Sequence, residues 1–252
     1  MINKKLGFEK KIGKISLTSR MNILKSFLKV LKVCLEHNDY LKLSAIKSWD
    51  DQILHDTLIN LRIKDRDRFS LIYDLMQKNI SLDFFCNSNN LAVIAANFLN
   101  IKKDEMMMTS QFRMDTPTDK RNIYDWHQDS AYDKLNKIPT NGAILWIPMI
   151  DTNKKNGTLI VKPKSQKENN VYDLKQKWKK YVSPQLTVPN SHLKKYKSLN
   201  IPVKKGNCLV MYPNLFHKSG NNNSKKIRFT ILARFNKILT SDFRLFNKRL
   251  KP

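Results

Sequence analysis

Trp126-His127-Gln128-Asp129 is the stretch that decides how this sequence is interpreted. In an extended strand, side chains two residues apart point to the same face, so His127 and Asp129 converge while Gln128 points away. An imidazole and a carboxylate on one strand face can bind the same metal ion. The sequence predicts that His217, from a neighbouring strand, completes this site.

Two histidines and one carboxylate are the ligand set of non-haem Fe(II) oxygenases, since they hold three positions of the metal and leave three open for a cosubstrate and O2. The His-x-Asp pattern alone has little weight, because it arises by chance in roughly a quarter of such chains. The second half of the pattern strengthens it. It consists of four residues that lie within or between a predicted pair of hydrophobic strands, 207–212 and 226–235. These are His217, Ser219, Arg228 and Thr230.

Arg228 lies eleven residues after His217. A guanidinium presents a rigid fork that matches a carboxylate, so a buried arginine near the metal suits a dicarboxylate cosubstrate. Thr230 shares the strand face of Arg228 and could supply a hydroxyl to the same carboxylate. The alternative is an ordinary structural arginine near the start of a strand.

An ordered set of motifs runs through the same half of the chain. Pro117 precedes Trp126-His127-Gln128-Asp129, and there follow Trp146-Ile147-Pro148, Asn156-Gly157-Thr158-Leu159, Lys205-Gly206-Asn207, and His217 with Arg228. Through these motifs the segment from about 106 to 235 resembles the phytanoyl-CoA dioxygenase family of Fe(II)/2-oxoglutarate-dependent oxygenases. By that resemblance, the iron ligands are His127, Asp129 and His217.

The resemblance also implies the cofactors Fe(II), 2-oxoglutarate and O2. Arg228 matches the residue that pairs with the distal carboxylate of 2-oxoglutarate, and Ser219, Trp146 and Gln111 match further cosubstrate contacts. Judged from the residues alone, Trp146 is nearly as well explained as a core indole of an apolar strand. Gln111 is equally well explained as an ordinary polar strand residue.

One turn departs from the family's pattern. Where the family usually continues Asn-Gly-x-Leu into Pro-Gly-Ser-His, this chain reads Val161-Lys162-Pro163-Lys164-Ser165-Gln166, with lysine for the glycine and glutamine for the histidine. In the family this turn lies beside the site. The departure therefore bears on the substrate more than on iron binding.

Composition limits the classes of protein that fit. A chain of 252 residues with 41% hydrophobic content can bury one substantial core, and we expect a single domain over 1–252. The net charge of +26 is typical of a protein that binds nucleic acid. Lysine is preferred over arginine, however, and no nucleic-acid module is visible, so no specific nucleic-acid partner is expected. The charge should attract a small anionic substrate at low salt.

Three cysteines at wide spacing, Cys34, Cys86 and Cys208, are expected to be buried free thiols, which suits a reducing cytoplasm. The N-terminal region has no uninterrupted apolar stretch, because lysines divide it. No run approaches the roughly 18 apolar residues that a spanning helix needs. A cytoplasmic protein without a transmembrane segment is therefore expected.

The chain changes character near residue 105. Residues 1–104 are expected to be mainly helical, with helices over 50–63, 66–78 and 89–100 after an amphipathic one that begins near Ile23. Residues 105–240 show strands rich in β-branched and aromatic residues. This order predicts an α+β fold, a double-stranded β-helix (jelly-roll, cupin-like) barrel with the helical region packed against it.

A lysine-rich insert over 167–205 interrupts the strands. Its aromatic residues could form a lid over an anionic substrate, or they could anchor a long loop to the barrel. Both interpretations fit the sequence equally well. The residues concerned are Tyr172, Trp178, Tyr181, His192 and Tyr196.

The function predicted from these features is that of an Fe(II)- and 2-oxoglutarate-dependent dioxygenase that hydroxylates a small organic substrate and forms succinate and CO2. Asp129 favours hydroxylation, because related halogenases lack this carboxylate. One alternative is a non-redox cupin-like isomerase or epimerase, which would not need Arg228. The other is a basic membrane- or nucleic-acid-binding protein that uses the barrel as a scaffold.

Overall fold

The computed structural model describes residues 6–11, 14–119, 123–133, 135–176 and 185–244. Strand β1 (Phe8–Lys11) comes first, and a helical region follows it. Its helices are α1 (Leu17–Cys34), α2 (His37–Leu43), α3 (Gln52–Lys64), α4 (Arg66–Gln77), α5 (Ile80–Cys86) and α6 (Asn89–Leu99). The remaining elements are β2 (Met106–Asp115), β3 (Gly142–Pro148), β4 (Leu159–Val161), β5 (Leu174–Lys175), β6 (Leu186–Thr187), α7 (Asn190–Leu193), β7 (Leu199–Ile201), β8 (Cys208–Met211), β9 (His217–Ser219) and β10 (Arg228–Lys237).

The strands form two antiparallel sheets and a separate hairpin. The larger sheet has the order β1-β8-β3-β10-β2, the smaller has the order β7-β4-β9, and β5 pairs with β6. Apolar side chains of the two sheets meet in one cluster. It includes Ile144, Leu209 and Leu232 from the larger sheet and Leu159 and Val161 from the smaller one. The predicted α+β fold, a jelly-roll barrel flanked by helices, is confirmed.

The central strands of the larger sheet have two different faces. On β10, Phe229 and Ile231 pack into the core shared with the helices, whereas Arg228 and Leu232 line the barrel cavity. Successive side chains of a strand point to opposite faces, so one strand serves both layers. The helical core centres on an aromatic group formed by Phe27, Trp49, Phe112 and Phe229.

Local sequence signals explain most of the helix boundaries. The side chains of Ser16, Asp51, Asp65 and Asn79 each accept a backbone N–H of the helix that follows, as N-terminal caps do. Helices α3, α4 and α6 lie where the sequence predicts them. The short helices α2 and α5 were not predicted, since seven residues give too few turns for a clear apolar periodicity.

The strands differ from the sequence predictions in two respects. Residues 1–104 are mainly helical, as expected, but they also contain β1, an unpredicted edge strand with one buried apolar residue, Phe8. So few apolar positions give no recognisable alternation. The strands near 207–212 and 226–235 were expected to pair with each other, but β3 lies between them. Every residue of β3 is buried, which suits it to a central position.

All three cysteines, Cys34, Cys86 and Cys208, are buried free thiols, as predicted. Burial raises the pKa of the Cys208 thiol to about 12. Within the described ranges, no helix combines the length and the apolar character needed to cross a bilayer.

His55 joins the helical layer to the start of β10. Its Nδ1 atom accepts the backbone N–H of Ile227 at 3.0 Å, and the side chain is fully buried. The imidazole must therefore be neutral with its proton on Nε2. Burial, and then the nearby charge of Lys226, lower the pKa of His55 to about 4.

This arrangement predicts a pH-dependent stability. The unfolded chain binds the His55 proton near pH 6.5 and the folded chain only near pH 4, so this contribution is complete above pH 6.5 and is lost as the pH falls towards 4. The free energy of unfolding should fall by about 3 kcal/mol over this range. Urea unfolding of wild type and His55→Gln across this range measures it. The free energy of unfolding of His55→Gln should depend much less on pH than that of wild type. Replacing the exposed His37 by Gln should leave the wild-type pH dependence unchanged.

Candidate active site

His127 and His217 face each other across an isolated antiparallel bridge between the two parts of the barrel. The backbone N–H of His127 donates to the carbonyl of His217 at 2.9 Å, and that of His217 donates to the carbonyl of His127 at 3.1 Å. The two ring centroids are 4.1 Å apart. The backbone thus fixes both imidazoles side by side.

Asp129 reaches the same point by a different route from the one predicted. It was expected to share a strand with His127, but it begins a 3-10 turn, Asp129–Ala131. Gln128 keeps extended backbone angles, which is enough to direct its two neighbours to one side. Gln128 itself points away, and its amide donates to the carbonyl oxygens of Asn170 and Asn214.

The three side chains form a compact set of metal ligands. Asp129 Oδ1 lies 3.3 Å from Nε2 of His127 and 3.3 Å from Nε2 of His217. One ligand atom from each residue lies within 4.8 Å of the others, and all three residues are buried. Two imidazole nitrogens and one carboxylate oxygen at such spacing fit a single non-haem iron ion with open positions.

Second-sphere hydrogen bonds set the imidazole tautomers. His127 Nδ1 lies 2.7 Å from the carbonyl of Asp125, and His217 Nδ1 lies 2.9 Å from the carbonyl of Leu215. A carbonyl oxygen only accepts, so each Nδ1 carries the proton and each Nε2 keeps a lone pair for a metal. Burial lowers the pKa of His127 from its ordinary value, which favours the neutral form of that ligand.

The second oxygen of Asp129 is held by Arg234. Arg234 Nε donates to Asp129 Oδ2 at 2.9 Å, and Nη2 donates to Gln111 Oε1 at 2.9 Å. Burial alone would raise the pKa of Asp129, but the charge of Arg234 holds it well below its usual range. Asp129 is therefore ionised, with Oδ1 left for a metal. The sequence did not predict the contact between Arg234 and Asp129.

A cavity of about 900 Å3 surrounds these ligands. Of the predicted cosubstrate residues, Gln111, Trp146, Ser219 and Arg228 line it. Thr230 is not in the lining, and its hydroxyl is buried without a hydrogen-bond partner among the described residues. Gln111 contacts Arg234, and Trp146 belongs to the apolar cluster inside the barrel.

Arg228 is buried at the inner end of the cavity and is already paired. Its Nε and Nη2 donate to Asp115 Oδ2 at 3.2 and 2.7 Å, and its Nη1 donates to the carbonyls of Gly157 and Gly220 at 2.7 and 3.2 Å. These contacts occupy four of the five N–H donors of a guanidinium. The sequence did not predict a protein carboxylate as the partner of Arg228.

Asp115 in turn binds a second guanidinium. Arg113 Nη2 donates to Asp115 Oδ1 at 3.0 Å, and Arg113 also lines the cavity. Burial would raise the pKa of Asp115, but Arg113 and then Arg228 lower it, so the carboxylate is ionised. This Arg113–Asp115–Arg228 cluster has a net charge of +1. The sequence feature that could have indicated this cluster is Arg113-x-Asp115, because it has the same two-residue spacing as His127-x-Asp129.

The described part of the 167–205 insert is anchored to the outside of the smaller sheet. Glu168 accepts hydrogen bonds from the hydroxyls of Tyr172 at 2.6 Å and Tyr196 at 3.1 Å, and it lies 2.7 Å from His192 Nδ1. Both tyrosine rings pack edge-on against Phe216. These residues act as anchors in this structure. The other two aromatic residues of the insert, Trp178 and Tyr181, lie outside the described residues.

The turn that departs from the family's pattern keeps a glycine-like backbone. Lys164 has φ +74°, a left-handed conformation that costs an ordinary residue about 1–2 kcal/mol. Lys162 Nζ lies 4.7 Å from the centroid of the Trp126 ring and donates to the carbonyl of Tyr196. None of residues 162–166 lines the cavity.

A jelly-roll barrel with two histidines and one carboxylate defines the class of non-haem metal-dependent enzymes. The phytanoyl-CoA dioxygenase (PhyH) family model matches residues 54–230, which is more than half of the chain, and the protein belongs to this family. Members of the family depend on Fe(II) and 2-oxoglutarate. No curated protein matches the chain at a significant level of sequence similarity.

Solved structures of low sequence identity share the fold. The 2-oxoglutarate-dependent epimerase SnoN from nogalamycin biosynthesis has 11% identity and a TM-score of 0.57, over 93% of this chain and 79% of that chain. The non-haem monooxygenase ThoJ has 14% identity and a TM-score of 0.60, over 93% and 75%. AviO1 from Streptomyces viridochromogenes Tue57 has 17% identity and a TM-score of 0.56, over 95% and 94%.

Gly157 allows the close approach of Arg228. A substitution at this glycine tests how much that contact contributes to the stability of the fold. Gly157 has φ +86°, and an added Cβ would overlap Arg228 Nη1 and the carbonyl of Gly220. Gly206 is a matched control, because its φ is +87° but the nearest atom to an added Cβ, the carbonyl oxygen of Ile15, is 3.5 Å away.

We expect Gly206→Ala to lower the free energy of unfolding by about 1–2 kcal/mol through backbone strain alone. Gly157→Ala should lower it by about 1–3 kcal/mol more, because the overlap must also displace Arg228. Urea unfolding of both variants measures the difference. Equal losses would show that Arg228 can move away at no cost.

Proposed function

We propose that this protein is an Fe(II)- and 2-oxoglutarate-dependent dioxygenase that hydroxylates a small organic substrate. The observation that carries the proposal is the convergence of His127 Nε2, His217 Nε2 and Asp129 Oδ1 in a cavity whose inner end is cationic. Membership of the family supports it. So does one fold neighbour, since SnoN was solved with Fe3+ and α-ketoglutarate.

When bound, the iron supplies the oxidising chemistry together with O2 and 2-oxoglutarate, which is converted to succinate and CO2. The chain contributes geometry and electrostatics. The carbonyls of Asp125 and Leu215 keep both histidines in the ligand tautomer. Arg234 restrains Asp129 so that one carboxylate oxygen is directed to the metal. The ligands are all buried, so bulk water is kept from the reacting centre.

The Arg113–Asp115–Arg228 cluster is the proposed site for the distal carboxylate of 2-oxoglutarate. Its net charge of +1 matches one carboxylate, although Asp115 already occupies most of the Arg228 fork. The remaining N–H of Arg228 and the hydroxyls of Ser219 and Thr230 are the donors left for that carboxylate. The unpartnered buried hydroxyl of Thr230, two residues along the same strand face, fits this role.

The alternatives drawn from the sequence have less support. A non-redox isomerase would have no use for a cationic cluster at the inner end of the cavity. A basic scaffold protein would have no use for a buried set of metal ligands with fixed tautomers. Epimerisation that depends on 2-oxoglutarate is the second candidate, because SnoN, with the same fold, is such an epimerase. The mass of the product distinguishes this candidate from hydroxylation.

Activity is tested by succinate release from 2-oxoglutarate across a panel of small organic molecules, with the products followed by mass spectrometry. A hydroxylase adds the mass of one oxygen atom, whereas an epimerase leaves the mass unchanged. His217→Ala and Asp129→Gly should remove most turnover, because each deletes a proposed ligand, and chloride should not restore it. Product formation without O2 or 2-oxoglutarate would contradict the proposal.

A second test separates cosubstrate binding from folding. Arg228→Gln should raise the Kd for 2-oxoglutarate at least about tenfold and leave the affinity for Fe(II) within about threefold. Arg62→Gln is the matched control, because Arg62 is also buried and bonded to a carboxylate, that of Asp119, but does not line the cavity.

Both variants should be less stable than wild type, since each leaves a carboxylate with fewer partners. Only Arg228→Gln should weaken the binding of 2-oxoglutarate, as measured by anaerobic titration. Unchanged affinity in Arg228→Gln would move the anion site to Arg113 or Arg234.

A further inference from the structure

Arg234 uses only part of its guanidinium on the metal centre. Its Nε and Nη2 contact Asp129 and Gln111, and within the described ranges no acceptor contacts Nη1. The side chain lines the cavity and is 20% exposed. A guanidinium edge with unused N–H donors therefore faces the cavity beside the metal ligands.

This edge lies at the opposite end of the cavity from the proposed cosubstrate site. Arg228 and Arg234 are six residues apart on β10, which corresponds to about 20 Å of extended strand. Arg234 contacts a metal ligand directly, whereas Arg228 contacts Asp115. One short dicarboxylate cannot use both guanidinium groups as partners for the same carboxylate.

The cavity wall near Arg234 is partly apolar. Leu135 is buried there, and its carbonyl accepts the backbone N–H of Arg244 at 2.7 Å. The Tyr132 hydroxyl accepts the backbone N–H of Leu186 at 2.6 Å, so its ring is left as a wall beside the metal ligands. Arg244 is exposed and lines the cavity mouth. This end offers apolar surface next to unused cationic groups.

The charges that line the cavity leave one positive charge without a partner. The inner cluster, with a net charge of +1, balances the distal carboxylate of 2-oxoglutarate. Fe(II) balances the other carboxylate of the cosubstrate and Asp129. Among the described lining residues this leaves Arg234 and Arg244 against Asp133, again a net charge of +1. A carboxylate on the substrate would balance this charge, whereas a neutral substrate would leave it unbalanced beside the metal ligands.

We infer that the substrate oxidised by this protein carries a carboxylate, which binds the free edge of Arg234 while its apolar part lies along Leu135 and Tyr132. This inference rests on the proposed function. A single carboxylate matches the excess of one charge better than a phosphate monoester, which carries nearly two at neutral pH. The planar guanidinium edge also matches a carboxylate geometrically.

The test uses the full chain with Fe(II) and 2-oxoglutarate under anaerobic conditions. The probes are hexanoic and octanoic acids, each compared with its primary amide, which has the same shape but no charge. Binding is followed by the visible charge-transfer band of the iron complex and by ligand-observed NMR. Wild type should bind each acid at least about tenfold more tightly than its amide.

Arg234→Gln should reduce this acid preference to about twofold or less. Arg68→Gln, which changes a half-exposed arginine on α4 outside the cavity, should retain it. Equal binding of acid and amide to wild type would overturn the inference. So would an acid preference that survives in Arg234→Gln, or one that is lost in Arg228→Gln instead, because the acids would then occupy the cosubstrate site.

Arg234→Gln also removes a partner of Asp129 and can weaken iron binding. Arg244→Glu covers that case, because Arg244 lines the same end of the cavity and no metal ligand contacts it. This variant should lower the acid preference several-fold with Fe(II) and 2-oxoglutarate bound normally, and an unchanged preference would overturn the inference.

The proposed function and this inference fail in different ways. If the proposed function is wrong, no charge-transfer band forms in wild type before any acid is added. If only this inference is wrong, the band forms normally and the acids bind no better than their amides.

Discussion

The buried carboxylate of Asp129 is the constraint on which the rest of the site depends. An ionised side chain in this position is tolerated because Arg234 contacts one of its oxygens, and the other oxygen is left beside the two imidazoles for a metal. Removing one partner of such a buried charge typically costs about 3–5 kcal/mol. Strand β10 must therefore present Arg234 at this depth. Its register against β2 and β3, and the contact of Ile227 with His55, fix that position.

Two-sided strands connect the stability of the fold to the chemistry of the site. Odd-numbered positions of β10, such as Phe229 and Ile231, pack against the helices, whereas Arg228, Leu232 and Arg234 at even-numbered positions line the cavity. The helical layer therefore holds the site in place without contributing a metal ligand from the described residues. The same alternation on β2 brings Arg113 and Asp115 to the inner end of the cavity, opposite the start of β10.

Much of this arrangement could be predicted from the sequence, because periodicity and spacing are local properties. Helices α3, α4 and α6 follow apolar periodicity, and the convergence of His127 with Asp129 needs only one extended residue between them. Strand β1 and the order of the larger sheet could not be predicted, because they depend on pairing between distant segments. Asp115 was missed as the partner of Arg228 for the same reason, since strand register alone brings the two together.

Iron-edge anomalous diffraction from crystals grown anaerobically with Fe(II) and 2-oxoglutarate would locate the metal. We expect one iron peak within bonding distance of His127 Nε2, His217 Nε2 and Asp129 Oδ1, with the Nδ1 atoms still directed to the carbonyls of Asp125 and Leu215. Iron bound elsewhere, or bound without Asp129, would contradict the proposed ligand set. So would a site that stays empty at saturating Fe(II).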